Sequence, residues 1–303
     1  MIDNAQLAAI ARDCRVQIIR MLTHAGSGHP GGSLSVIDLV TTLYFQRMRH
    51  DPKRPGWPDR DRLILSKGHA VPAQYVAMAR AGYFPQDLLI TLRKLGSPLQ
   101  GHPDRTVLPG IEAATGSLGE GLSIAIGMAL GLKTSGSPAR VYCILGDGEV
   151  QEGQVWEAAM SAPKLGQPDH PLDNLTVIVD YNRIQLDDFV KKILDLEPLT
   201  AKWQGFGWPV IEIDGHDLDQ IGKALDQAEA TRGVPTLVVA HTVKGKGVSF
   251  MENDPEWHGK SPKPAEAVRA IREILGIPEG AAEDQLDART GAILAELTAL
   301  DRK

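Results

Sequence analysis

The sequence predicts an α/β fold, a parallel sheet with helices on both faces. Three observations carry this. Short β-rich runs that are almost wholly apolar, such as residues 141–145 and 175–180, alternate with stretches of helical periodicity. Strands without polar alternation are buried on both faces, as parallel strands are. Glycine- and histidine-rich segments follow the ends of several runs, where such sheets bind ligands. Hydrophobic residues make up 43% of the 303, enough for a sizeable core.

The elements follow in order. Leu7, Ile10, Ala11, Cys14, Ile18, Met21 and Leu22 recur at helical spacing and predict a helix over residues 5–23. The Gly/His/Pro stretch 25–32 ends it as a loop. Val36, Leu39, Val40, Leu43 and Tyr44 share one face of a helix over 35–47. Residues 50–61 are a Pro-rich loop, 62–66 a short strand and 72–81 a helix. Residues 96–120 show little periodicity, and long loops in compact domains are often functional. Residues 121–131, with small residues at Gly121, Ala125 and Ala129, read as a tightly packed buried helix at a possible subunit interface. A strand over 141–145 stops at Gly146-Asp147-Gly148, and a helix over 154–165 follows. The remaining strands are 175–180, 210–213 and 236–241, with helices opening at Pro198 and over 218–231. Residues 264–275 and 285–300 read as closing helices. The chain reads as one domain, 1–303, with 260–303 as a C-terminal helical extension.

Lys plus Arg number 32 and Asp plus Glu 38, a net charge of −6 with no like-charge block. That excludes a general nucleic-acid binder, which needs a basic face. Cys14 and Cys143 suggest neither a disulfide framework nor a cysteine zinc site, and a reducing cytoplasm fits them. The first residues lack a basic and apolar leader pattern, and the apolar run 121–132 is too short to span a membrane.

Gly146-Asp147-Gly148-Glu149 places a carboxylate between glycines at a strand's carboxyl end. Glycines allow close backbone approach, the following helix N-terminus suits a phosphate, and the carboxylate suits Mg²⁺. Taken alone, the same residues are equally a tight turn. Asn182 follows the next strand and would stand at the same sheet edge. One carboxylate and one amide leave metal positions for phosphate oxygens and water.

With Asn182, the Gly146–Glu149 segment resembles the metal–diphosphate motif of thiamine diphosphate enzymes. The interval to Asn182 is long for that motif, and residues 167–173 read as a surface insertion that accounts for the excess. Ser27-Gly28-His29-Pro30-Gly31-Gly32, Leu65-Ser66-Lys67-Gly68-His69, Gly101-His102-Pro103, Thr115-Gly116-Ser117-Leu118-Gly119-Glu120-Gly121, Ile213-Asp214-Gly215-His216-Asp217 and Trp257-His258-Gly259 occur in that order. Together they resemble the N-terminal half of transketolase. The segment His241-Thr242-Val243-Lys244-Gly245-Lys246-Gly247-Val248, followed by Trp257-His258-Gly259, most resembles the split form, in which two genes encode the halves.

The resemblance implies a two-carbon ketol transfer from a ketose phosphate to an aldose phosphate. Asp147, Asn182 and the Ile184 carbonyl would hold Mg²⁺, or Ca²⁺ or Mn²⁺. His69, Gly148 and His258 would contact the diphosphate of thiamine diphosphate, and Gly116, Ser117 and Leu118 would line its aminopyrimidine. His29, His102 and His258 would face substrate and handle protons, a task suited to groups near the ordinary histidine pKa. His24, His50, His170 and His241 are read as structural or surface residues. His216 is either functional or a strand-to-helix cap. Glu152 is either a dimer-interface carboxylate or a solvated residue.

The rivals fare differently. A dinucleotide site needs Gly-x-Gly-x-x-Gly/Ala, and the third position is Gln151 counted from Gly146 and Ile124 counted from Gly119. A catalytically silent module of the same fold could lose its metal ligands, yet Asp147 and Asn182 are both present. A deoxyxylulose-phosphate synthase is normally one longer chain, and the α-subunits of 2-oxoacid dehydrogenases lack the Ser-Gly-His-Pro-Gly and Trp-His-Gly segments. The family's activating glutamate sits on a pyrimidine-binding domain, which residues 260–303 are too few to encode. A partner subunit carrying that domain, in a heterotetramer, is therefore expected.

Overall fold

The computed structural model describes residues 2–278 and 286–300. Five strands, β1 (Arg62–Leu65), β2 (Val141–Gly146), β3 (Leu175–Tyr181), β4 (Val210–Asp214) and β5 (Thr236–His241), form one parallel sheet in the order β1-β2-β3-β5-β4. All five carboxyl ends therefore lie at one edge. Side chains alternate between two cores. Leu63, Leu65, Tyr142, Ile144, Ile178 and Val238 face one side, and Ile64, Cys143, Leu145, Val177, Val179 and Val239 face the other.

The first core is covered by α1 (Asn4–Ala25), α2 (Pro30–Thr42), α3 (Val71–Ala81), α8 (Leu218–Ala230), α9 (Pro264–Leu275) and α10 (Ala288–Leu300). The second is covered by α4 (Glu120–Thr134), α5 (Gly153–Ser161) and α7 (Leu199–Gly205), with the short α6 (Val190–Ile193) at its margin. Ala270, Ile271, Ile293 and Leu297 of the C-terminal pair share the first core with α1 and α2. The expected start of the last helix, Gln285, lies outside the described residues.

Most elements stand where periodicity puts them. Asp3 and Gln6 close a capping box on α1, and Gly26, at φ 63°, ends it in the left-handed conformation. Three expectations need correction. The second helix starts at Pro30 rather than residue 35, because Pro30 takes the first-turn position that proline favours. The helix after β2 stops at Ser161 rather than residue 165, because Pro163 has no N–H with which to carry the helical ladder on. Helix α4 is not buried all round. Its Leu122–Ala125–Ala129 side packs inward, and Ser123, Gly127 and Gly131 are exposed. Among the described residues, no helix is long and apolar enough to cross a membrane.

Candidate active site

The carboxyl edge of the sheet carries a cleft of about 410 Å³. Four strand ends build its floor. β1 runs into Lys67, β2 into Asp147, β3 into Asn182 and β5 into Lys244, and all four residues line the cleft.

Asp147 is 2% exposed. Its carboxylate accepts from the backbone N–H of Gly148 at 2.8 Å and from that of Arg183. Burial, with the Asp180 carboxylate nearby, raises its pKa to about 7. Arg183 holds φ at 67°, a left-handed turn that costs a side-chain-bearing residue about 1–2 kcal/mol. The turn leaves Asn182 and Ile184 both bordering the cleft. Gly148 must be a glycine, because a Cβ there would stand 2.5 Å from Cβ of Gln185.

Lys244 is 1% exposed, and its Nζ donates to the carbonyls of Ile184 at 3.1 Å and Gln185 at 3.2 Å. Burial lowers its pKa to about 8, although Asp147 pulls the other way. The Ile184 carbonyl thus already accepts from a cation. Asp147, Asn182 and that carbonyl are an oxygen donor set with a single carboxylate, which fits a hard divalent cation bridged to an anion. Among the described residues, no group of three or more His, Cys, Asp or Glu could hold a metal.

One floor residue, Lys67, belongs to a buried pair that sequence reasoning missed. Asp180 is fully buried and pairs with Lys67, 2% exposed. It also accepts from Ser35 Oγ at 2.5 Å, from Thr242 Oγ1 and from Asn182 Nδ2 at 3.2 Å. Burial alone would raise its pKa, but Lys67 and these donors hold it below the usual carboxylate range. The stability this group contributes is present above about pH 4 and is lost as pH falls through its depressed pKa. Lys67→Met should cost about 3–5 kcal/mol by urea unfolding at neutral pH, because it strands a buried charge. A variant as stable as wild type would show that the pair does not support the floor.

Glu149, also buried, ties three segments together. It accepts from Ser66 Oγ, from Gly119 N at 2.9 Å and from Gly146 N at 3.0 Å. Gln154 Nε2 donates to the Leu118 carbonyl at 2.8 Å. These bonds place Gly116 and Leu118 on the cleft wall. Ser117, between them, is exposed and does not line the cleft.

Four histidines from four distant segments converge above the floor. Ring centroids are 5.1 Å apart for His29 and His69, 5.5 Å for His29 and His258, 5.0 Å for His69 and His258, and 6.5 Å for His29 and His102. The expectation of ordinary histidine pKa values changes here. Burial, helped by neighbouring cationic side chains, lowers His29 to about 4 and His258 to about 3, and lowers His69 and His102 as well. Without an anion in the cleft, all four are neutral at pH 7. Lys244 Nζ donates to His258 Nδ1 at 2.8 Å, so the neutral ring carries its proton on Nε2. His29 Nδ1 is buried without a partner.

The residues set aside do lie elsewhere. His24 meets Glu296, His50 meets the Tyr44 carbonyl at 2.7 Å, and His241 meets Glu212 at 2.9 Å. His170 sits in the surface segment after α5. Glu152 borders the cleft mouth and is exposed. His216 does not cap α8, since Asp217 accepts from Asp219 N and Gln220 N.

Chemically, the cleft gathers a buried carboxylate, an amide, two lysines and four histidines at the carboxyl edge of an α/β sheet. Residues 7–283 match the family model of the transketolase thiamine diphosphate binding domain, and the chain belongs to the transketolase family. It is 48% identical over 243 residues to the 6-deoxy-6-sulfo-D-fructose transketolase subunit SqwG of Clostridium sp. (strain MSTE9), covering 78% of this chain and 86% of that one. It is 41% identical over 272 residues to an apulose-4-phosphate transketolase subunit of Actinobacillus succinogenes, covering 90% and 96%. The solved transketolase of Campylobacter jejuni superposes with a TM-score of 0.85 at 31% identity, covering 99% of this chain and 47% of that one. The chain thus spans about half the length of the solved transketolases it matches.

Proposed function

We infer that this chain is the diphosphate-binding subunit of a two-chain transketolase, moving a two-carbon ketol unit from a ketose to an aldose. One observation carries the reading. Asp147, Asn182 and the Ile184 carbonyl meet Lys67 and Lys244 at one sheet edge, under four converging histidines. Relatives of similar length are named as transketolase subunits, which supports a partner.

Asp147, Asn182 and the Ile184 carbonyl would hold Mg²⁺, or Ca²⁺ or Mn²⁺, which would neutralise the charge of a diphosphate. His69, His258, Lys244 and the backbone at Gly148 would face the diphosphate, and Gly116 and Leu118 would flank the aminopyrimidine, with Ser117 turned away from the cleft. Thiamine diphosphate, when bound, supplies the electron sink for breaking a bond beside a ketose carbonyl. The chain's own residues orient and move protons. His258 offers its Nε2 proton to substrate oxygen, and His29 and His102 accept or donate at the hydroxyls. An anion in the cleft raises the pKa values of these histidines toward 7 and makes proton transfer easier.

The remaining wall comes from a partner that carries the pyrimidine-binding domain and its activating glutamate. Glu152, exposed at the mouth, is free to meet it. Two copies of each chain form the closed heterotetramer. Residues 1–303 act as one domain, and the buried, unpaired Cys14 and Cys143 support a reducing cytoplasm.

The test is to purify the chain with its native partner and screen ketose donors against aldose acceptors. The screen includes a sulfonated ketose and a branched ketose phosphate, the substrates that the relatives' names carry. Two-carbon transfer on any of them is expected. No transfer with a folded, cofactor-loaded pair contradicts the reading.

A further inference from the structure

We propose that Arg15, Asp38 and His216 form a positioning cluster that holds Lys244 at its height in the cleft and thereby sets affinity for the diphosphate. The proposal rests on the thiamine diphosphate reading and goes beyond it, because none of the three residues lines the cleft.

The cluster joins three elements behind the floor. Arg15 on α1 grips Asp38 on α2 with both ends of its fork, Nη1 to Oδ1 at 3.1 Å and Nη2 to Oδ2 at 2.5 Å. Asp38 is 6% exposed. It takes a second partner, His216 Nδ1, at 2.8 Å from Oδ2. His216, between β4 and α8, then accepts the backbone N–H of Val243 on Nε2 at 2.9 Å. An imidazole that accepts on Nε2 and faces a carboxylate with Nδ1 is neutral and carries its proton on Nδ1.

The two arms of the cluster reach both sides of Lys244. His216 holds the Val243 N–H, and Arg15 Nε donates to the Lys246 carbonyl at 3.3 Å. The backbone between is pinned further by Gly245 N, which donates to the Gly31 carbonyl at 3.0 Å. Lys244 projects from this clamped segment into the cleft, to the carbonyls of Ile184 and Gln185 and to His258 Nδ1. Long lysine stems lose side-chain entropy when ordered. A fixed backbone cuts that loss at the moment of binding, so the clamp strengthens the lysine's hold on an anion. His216 does not cap α8, so capping does not account for its two bonds.

The test is a double-mutant cycle on the chain assembled with its partner, read as the dissociation constant for thiamine diphosphate with Mg²⁺ by isothermal titration. His216→Asn is the variant of choice, because its amide can still donate to Asp38 while the acceptor for Val243 is lost. In the wild-type background it should weaken binding by about 5- to 10-fold, the scale of one lost hydrogen bond. In the Lys244→Met background the same change should alter binding by less than about 2-fold, because the residue it positions is gone. Equal effects in both backgrounds would mean a merely structural role and would overturn the proposal, as would no effect in either. Failure of the wild-type pair to bind thiamine diphosphate would overturn the cofactor reading, and this proposal with it.

Discussion

Asp147→Ala should abolish Mg²⁺-dependent cofactor binding and leave the chain folded. The carboxylate is the single anionic donor in the proposed ligand set, and the amide and carbonyl beside it are neutral. Losing an outer-shell partner commonly costs 10- to 100-fold in metal affinity, so losing the ligand itself should cost about 100-fold or more. A stability measurement separates this from misfolding. The raised pKa of Asp147, about 7, means that the metal-free wild type loses stability as pH rises from about 4 to about 7. The alanine variant has no such loss, so the stability difference should move in its favour over that range. Cofactor binding equal to wild type at matched Mg²⁺ would remove Asp147 from the metal site.

The second large effect is expected at His258. With the partner present, His258→Ala should lower kcat by ~10²–10⁴-fold, the usual span for a lost general acid or base. The ring has neighbours that a structural histidine would not need. It lies 5.0 Å from His69 and 5.5 Å from His29, centroid to centroid, and Lys244 fixes its tautomer. His102→Ala should fall in the same range. His170→Ala, in the surface segment, should be silent. Three variants that behave alike would undo the histidine assignments.

Much of this site was legible because its parts end recognisable elements. β2 is apolar throughout and β3 nearly so, with Thr176 and Asp180 as its polar residues, so the Asp147 and Asn182 that follow them stand out at the sheet edge. His29, His69, His102 and His258 each adjoin glycine, and their segments break periodicity where a ligand site would. Lys67, Asp180 and Lys244 were not legible as partners. A lysine after one strand and an aspartate in another become a pair only when the fold sets β1, β2 and β3 side by side. The start of α2 was hidden for a related reason. Gly31 and Gly32 read as loop, yet at Gly31 a Cβ would stand 2.9 Å from the Trp257 carbonyl, so tertiary contact demands the glycine within a helix. The outward side of α4 was missed because Ser123, Gly127 and Gly131 are too small to mark a polar face.

The central claim is that this chain supplies one wall of a two-chain active site. The most direct measurement is turnover of the purified chain with thiamine diphosphate, Mg²⁺ and sugar phosphates, before and after the partner is added. The account predicts no transfer by the chain alone and full activity on adding a partner with a pyrimidine-binding domain. Turnover by residues 1–303 alone, at a rate the partner does not change, would contradict it.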